Sequence, residues 1–119
     1  MSTDVQASPF QNKPLESIYA TADNAKQEME AKRAQYEAAK SQLNIYDKNK
    51  YVAYREFQHA QSGKNKSLFQ SAQTKYSLTC NRYSDADINV SVLRDSFMSS
   101  IFYSGKMNNC AALANAIVG

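Results

Sequence analysis

Residues that interrupt regular secondary structure are scarce in this sequence of 119 residues, which has only three glycines and two prolines. None of them lies between Leu15 and Ser62. Because turns and strand ends depend on glycine and proline, their scarcity predicts long helices joined by few turns and argues against a β-rich fold. A chain of this length is expected to have a modest core and to be one domain.

Residues that usually perform catalysis or bind metals are also scarce. The chain has one histidine, His59, and two cysteines, Cys80 and Cys110, at no metal-ligand spacing. It has no Gly-rich phosphate loop and no nucleophile elbow. We therefore predict a protein that is not an enzyme and holds no metal or cofactor. The two thiols are expected to be free and buried, with a disulfide as the alternative in an oxidising compartment.

Long apolar runs are missing as well. No run of about 18 apolar residues is present, so no transmembrane segment is expected. Residues 1–13 lack the basic start and apolar core of a secretory signal. These absences predict a location in the cytoplasm or within a macromolecular particle.

The sequence does contain an apolar stripe at coiled-coil spacing. Alternate steps of three and four residues from Leu15 to Ala60 meet apolar residues everywhere except at Lys32 and Lys50. A period of 3.5 residues held this long keeps one face of a helix against a partner helix. We name these positions the N-terminal seam; its apolar members are Leu15, Ile18, Ala22, Ala25, Met29, Tyr36, Ala39, Leu43, Tyr46, Ala53, Phe57 and Ala60.

The many alanines of the N-terminal seam bury little apolar area each, so we expect a partner helix to supply bulky side chains. A bundle within the chain is the favoured arrangement, and an oligomeric coiled coil is the alternative. Lys32 and Lys50 are expected either to extend along the seam towards water or to specify the register of the pairing.

The predicted fold is all-α: a long coiled-coil-like helix followed by an antiparallel return that is broken into shorter helices. Residues 1–13 are expected to be a flexible arm, and residues 14–119 a single helical domain. Pro14 suits a helix start, and Gly63 in a left-handed conformation suits its end. The predicted helices are residues 14–61, 67–80 with Ser67 as its N-cap, 87–103, and a short amphipathic helix at 107–118.

Two overall arrangements remain open at this point, a helical hairpin and a bundle of three or four helices. Residues 88–92 alternate in polarity like a strand, but helix is favoured because an isolated strand has nothing to pair with. Bulky apolar residues of the return are expected to cover the seam alanines or to form further apolar faces. They are Leu93, Phe97, Met98, Ile101, Phe102, Leu113 and Ile117.

Positive charge is concentrated in the middle of the chain. Residues 48–83 carry seven Lys/Arg and one acidic residue, Glu56, a net charge of +6 in a chain of net charge +3. Aromatic residues interleaved with basic ones can stack on bases and contact phosphates. We name the candidate polyanion-binding residues the basic tip: Lys48, Lys50, Tyr51, Tyr54, Arg55, Lys64 and Lys66. Nucleic acid, an acidic protein surface or anionic lipid head groups would use the same charges.

The length and the predicted hairpin resemble those of small helical secreted substrates of the paired-helix type, although Ser62-Gly63-Lys64 replaces the Trp-x-Gly turn of that family. The Ala- and Gln-rich composition is similar to that of helical proteins inside phage particles. From the N-terminal seam and the further apolar faces we expect a non-catalytic structural protein that oligomerises or joins other protein subunits through helix–helix contacts, and the composition suggests a virion component as one example. Polyanion binding through the basic tip is the alternative, and membrane contact by residues 106–119 is a third hypothesis.

Overall fold

The computed structural model contains two long helices. It describes the backbone of residues 3–118 and the side chains of residues 15–117. Helix α1 spans Thr3–Ser62 and helix α2 spans Lys66–Val118. The two helices pack against each other, so the predictions of an all-α fold and of a helical hairpin are confirmed.

The return is one continuous helix, and the predicted breaks near residues 81–86 and 104–106 are wrong. Within residues 3–118 there are accordingly two helices rather than a bundle of three or four. Residues 88–92 are helical, as favoured.

The physical reason for this continuity is a second stripe with alternate steps of three and four residues. Every side chain in it is partly or wholly buried. A sustained 3.5-residue period keeps the same face of α2 turned inwards and favours an uninterrupted helix. We name this stripe the return seam: Phe69, Ala72, Tyr76, Thr79, Tyr83, Ala86, Val90, Leu93, Phe97, Ser100, Ser104, Met107, Ala111 and Ala114.

The first helix begins at Thr3, so the predicted helix start at Pro14 is wrong, whereas the flexible arm over residues 1–13 stays a prediction. Pro9 and Pro14 lie within α1, although a proline inside a helix costs about 3 kcal/mol. That cost is confined to the N-terminal end of α1, because no proline occurs from Leu15 to Ser62.

Three residues, Gly63, Lys64 and Asn65, connect the helices. The Gly63 N–H donates to the Ala60 carbonyl at 3.2 Å, and Gly63 lies outside the left-handed region, so the predicted left-handed closure is wrong. A tight turn with an i→i+3 hydrogen bond ends α1 instead. Asn65, rather than the predicted Ser67, caps α2, because its Oδ1 accepts the Leu68 N–H at 3.1 Å.

Residue contacts divide the hairpin into two units. The terminal unit comprises Met1–Ala34 and Asp95–Gly119, and the turn unit comprises Gln35–Arg94. Each unit contains one segment of α1 and one segment of α2. That residues 14–119 form a single helical domain stays a prediction.

Candidate functional site

In the terminal unit, small residues from both helices form the buried contact. Ala22 and Ala25 of the N-terminal seam are buried, with Ala25 only 3% exposed, whereas Leu15, Ile18 and Met29 are partly buried. From α2, Ser100 and Ser104 are also buried. Small side chains on both faces allow two helices to approach closely. The contact is therefore small against small, in contrast to the predicted covering of alanines by bulky residues.

Three of the bulky residues that were expected at this contact point elsewhere. Met98, Ile101 and Phe102 are exposed, and Phe102 is 77% exposed. They lie between positions of the return seam, so the continuous helix turns them away from α1. Phe97 and Leu93 do belong to the return seam and are partly buried.

In the turn unit, aromatic rings fill the space beside the buried alanines of the N-terminal seam. The Phe57 ring centroid lies 5.4 Å from that of Phe69 and 5.7 Å from that of Tyr76, and Tyr54 lies 5.4 Å from Tyr76. Pairs at these distances contribute about 0.5–1.5 kcal/mol beyond the buried area. The remaining N-terminal seam positions here are either buried (Ala39, Ala53, Ala60) or partly buried (Tyr36, Leu43, Tyr46).

The pKa of the Tyr76 phenol is shifted from its ordinary value. A hydrogen bond with the Cys80 thiol raises the pKa of Tyr76 above 10.0, and burial and the nearby Cys80 and Tyr54 raise it further. Each of these neighbours disfavours the phenolate. The Tyr76 phenol therefore loses its proton at a higher pH in the folded chain than an ordinary tyrosine does.

Both lysines of the N-terminal seam contact α2. The Lys32 ammonium donates to Ser96 Oγ at 2.8 Å, and the Lys50 ammonium lies 3.8 Å from the Tyr83 ring centroid. A seam lysine that has a specific partner on the facing helix is expected to favour one register of pairing. This geometry favours the register role over simple extension into water.

The structure divides the basic tip into three groups. Lys48, Tyr51 and Arg55 share an exposed face of α1, where the Arg55 guanidinium lies 5.1 Å from the Tyr51 ring centroid. Lys50 and Tyr54 instead contact rings of α2. The turn and the start of α2 hold the other two members, Lys64 and Lys66, both exposed.

A pair within the same basic segment was missed from sequence. Lys75 of α2 donates to Glu56 of α1 at 2.9 Å, so the one acidic residue of that segment is neutralised across the hairpin. Because the two are far apart in the chain, only the fold-back brings them together. His59 is an exposed residue in the last turn of α1, and its carbonyl accepts the Ser62 hydroxyl at 2.8 Å.

Both cysteines are free thiols. Cys80 is partly buried, but Cys110 is exposed, so the prediction of burial is wrong for Cys110. Position 110 lies just before the return-seam residue Ala111, and the helix therefore turns its side chain outwards.

Large apolar side chains also cover much of the outer side of α2. Ile88, Val92, Leu113 and Ile117 are exposed, the last of them to 77%, in addition to the residues near Phe102. Leu113 and Ile117 were expected on an apolar face; the inward positions of that segment are instead Ala111 and Ala114. A sequence signal exists for this surface, because Lys106 is the only charged residue from Ser96 to Ile117. The same segment holds four serines and three asparagines, so its outer side is nearly uncharged and carries apolar side chains among polar ones.

Neither helix, over the range 3–118, has a stretch long and apolar enough to cross a membrane. Among the described residues, no group of three or more His, Cys, Asp or Glu side chains is placed to hold a metal ion. No known protein family, curated protein or solved structure matches this chain.

Proposed function

We propose that this protein is a non-catalytic assembly subunit that acts through helix–helix contacts with copies of itself or with a larger protein complex, such as a virus particle. The observation that supports the proposal is the exposed apolar surface of α2. Large apolar patches on a folded chain are typical of interaction surfaces. Here they lie on a helix whose opposite face already packs on α1.

The composition of the paired faces points in the same direction. Among the side chains of residues 15–117, the buried hydrophobic ones are all alanines, namely Ala22, Ala25, Ala39, Ala53 and Ala60. Each contributes far less burial than the 1.5–3 kcal/mol or so of a fully buried Leu or Phe. A partner that binds only the folded hairpin would add stability by mass action. A hairpin whose core buries so little apolar area would therefore gain stability from assembly.

The test has two measurements on the full chain. Light scattering gives its mass from about 1 μM to about 1 mM, the range in which weak complexes dissociate. Sedimentation of an extract prepared under non-denaturing conditions shows whether the chain from its natural source co-sediments with a larger particle. The proposal expects a mass above the 13.3 kDa of the monomer in at least one measurement. A monomer in both would overturn it.

Polyanion binding is the second candidate, and the exposed face formed by Lys48, Tyr51 and Arg55 favours it. An exposed ring between two cations can stack on a base while the cations contact phosphates. Binding of single-stranded DNA is expected to weaken steeply with salt, because bound counterions are released.

The matched variants for this second candidate exchange two cations on the same helix for glutamine. Lys48→Gln with Arg55→Gln should weaken binding and reduce its salt dependence, whereas Lys26→Gln with Arg33→Gln should leave both nearly unchanged. Equal losses in the two double variants would mean that the binding is non-specific, and binding that salt does not affect would exclude the candidate.

A further inference from the structure

The outer side of α2 in the terminal unit carries a regular line of exposed residues. They follow one another in alternate steps of four and three, which places them on one face of a helix. This face lies opposite the return seam. We name it the outer stripe: Met98, Phe102, Gly105, Asn109, Ala112 and Ala116, all of them exposed.

The outer stripe is almost free of charge. Lys106 lies beside it, and no other charged residue occurs from Ser96 to Ile117. Exposed Ile101 and Leu113 flank the stripe on its two sides. An uncharged, largely apolar face can pack against another uncharged helix without burying a charge, and it has no cation to pair with a polyanion.

Gly105 gives this face an unusual feature. A Cβ at this position would meet no atom within 4 Å, and the backbone lies outside the left-handed region. Nothing in the described part of the chain therefore requires a glycine there, although glycine in a helix costs about 1 kcal/mol relative to alanine. A glycine on an exposed helix face allows the backbone of an approaching helix to come close.

The spacing of the outer stripe is the same in both directions along the helix. An antiparallel copy centred near Met107 would place Met98 opposite Ala116, Phe102 opposite Ala112, and Gly105 opposite Asn109. Each of the two outer layers pairs a large side chain with an alanine, as close packing requires. A surface that complements itself after a twofold rotation is the condition for a symmetric dimer.

We propose that the outer stripe binds the outer stripe of a second copy of this chain, with the two α2 helices antiparallel. This inference rests on the proposed assembly function and names its partner and its surface. The contact from Met98 to Ala116 would be about 27 Å long. An interface between two helices of this length falls below the standard size of about 1,600 Å², so we expect a weak dimer whose population depends on concentration.

The first experiment compares Phe102→Lys with Ile88→Lys by sedimentation equilibrium of the full chain. Both exchange an exposed apolar residue of α2 for lysine, but only Phe102 belongs to the outer stripe. Wild type and Ile88→Lys should dimerise equally, and Phe102→Lys should dimerise at least about tenfold more weakly. Circular dichroism checks that both variants keep their helices.

The outcomes separate this inference from the proposed function. A wild-type dimer that Phe102→Lys leaves intact would overturn the outer stripe as the interface, while assembly through another surface would still stand. A wild-type chain that is monomeric at every concentration would overturn the inference. In that case the proposed function would depend on the larger particle in the source extract.

A cross-linking experiment tests the antiparallel orientation. In a chain with Cys80→Ser and Cys110→Ser, one protein carries Gly105→Cys and the other carries Asn109→Cys. A disulfide requires Cα atoms within about 7 Å. The antiparallel pairing therefore predicts more cross-linked dimer in a mixture of the two proteins than in either protein alone. Stronger cross-linking in either protein alone would contradict this orientation.

Discussion

Replacing Phe57 by alanine tests whether the aromatic contacts hold the turn unit together. Phe57 is partly buried, and its ring lies within 6 Å, centroid to centroid, of both Phe69 at 5.4 Å and Tyr76 at 5.7 Å. Removing a fully buried Phe side chain costs about 3–5 kcal/mol, and each ring pair accounts for about 0.5–1.5 kcal/mol. Because Phe57 keeps some exposure, we expect Phe57→Ala to lower the free energy of unfolding by about 2–3 kcal/mol.

Tyr51→Ala is the matched control, since it removes an aromatic ring from the same helix on its exposed side. Tyr51 is 59% exposed, and its described ring contact is with the guanidinium of Arg55 at 5.1 Å. An exposed cation–π contact is worth about 0.5–1 kcal/mol, and the higher helix propensity of alanine offsets about half of that. We therefore expect the control to change the stability by no more than about 0.5 kcal/mol.

The assay for both variants is urea unfolding followed by circular dichroism at 222 nm, with thermal unfolding as a second measurement. At about 4 °C per kcal/mol, Phe57→Ala should melt about 8–12 °C below the wild type. Equal losses in Phe57→Ala and Tyr51→Ala would refute the reasoning, because the inner ring would then contribute no more than an exposed one.

Three further predictions test other parts of the hairpin. Ala25→Lys places an ammonium at a position that is 3% exposed and should lower the free energy of unfolding by several kcal/mol. The exposed control Ala20→Lys should have little effect, and equal melting temperatures for the two variants would contradict the N-terminal seam. In dilute solution, Gly105→Ala should raise the stability by about 1 kcal/mol, because the added Cβ meets nothing; a loss in urea unfolding would mean that α2 does not continue through this position. The folded chain binds the Tyr76 proton more tightly than the unfolded chain does, so the free energy of unfolding should fall as the pH rises above 10.0. Tyr76→Phe should make this fall smaller when urea midpoints are measured against pH. A fall of the same size in Tyr76→Phe would exclude Tyr76 as its source.

The sequence was sufficient for the faces of the long helix because apolar residues there repeat with the period of a coiled coil. Every described position from Leu15 to Ala60 in that repeat is partly or wholly buried. The same logic applies to α2, but Thr79, Ser100 and Ser104 interrupt its apolar character. Bulky neighbours such as Ile101 and Phe102 then suggested a different face. The return seam becomes visible in the sequence when small polar residues such as Ser100 and Ser104 are accepted at inward positions of the three-and-four repeat, along with apolar residues.

The ends of the helices were harder to predict from the sequence than their faces. Gly63 and Gly105 both follow a serine and both predict the end of a helix from local sequence, yet Gly63 lies in the turn and Gly105 lies inside α2. The difference is the return seam, which continues past Gly105, so that packing over many residues outweighs a local cost of about 1 kcal/mol. The contact of Lys75 with Glu56 depends on the fold-back and has no pattern of its own in the sequence. The cap at Asn65 is local, but Asn65 and Ser67 are both favoured N-cap residue types, so residue type alone does not choose between them.

The two helices differ most in what they present on their outer sides. On α1, Glu30 with Arg33 and Glu37 with Lys40 form ion pairs along the helix. Exposed pairs of this kind add only a few tenths of a kcal/mol to a helix but keep its surface hydrated. On α2, the segment from Ser96 to Ile117 has only Lys106 for that purpose. A chain under selection only to remain a monomer would gain solubility from charges on this segment, as it does on α1. The near-absence of charge from Ser96 to Ile117 therefore favours a role for the outer side of this segment in contact with another helix.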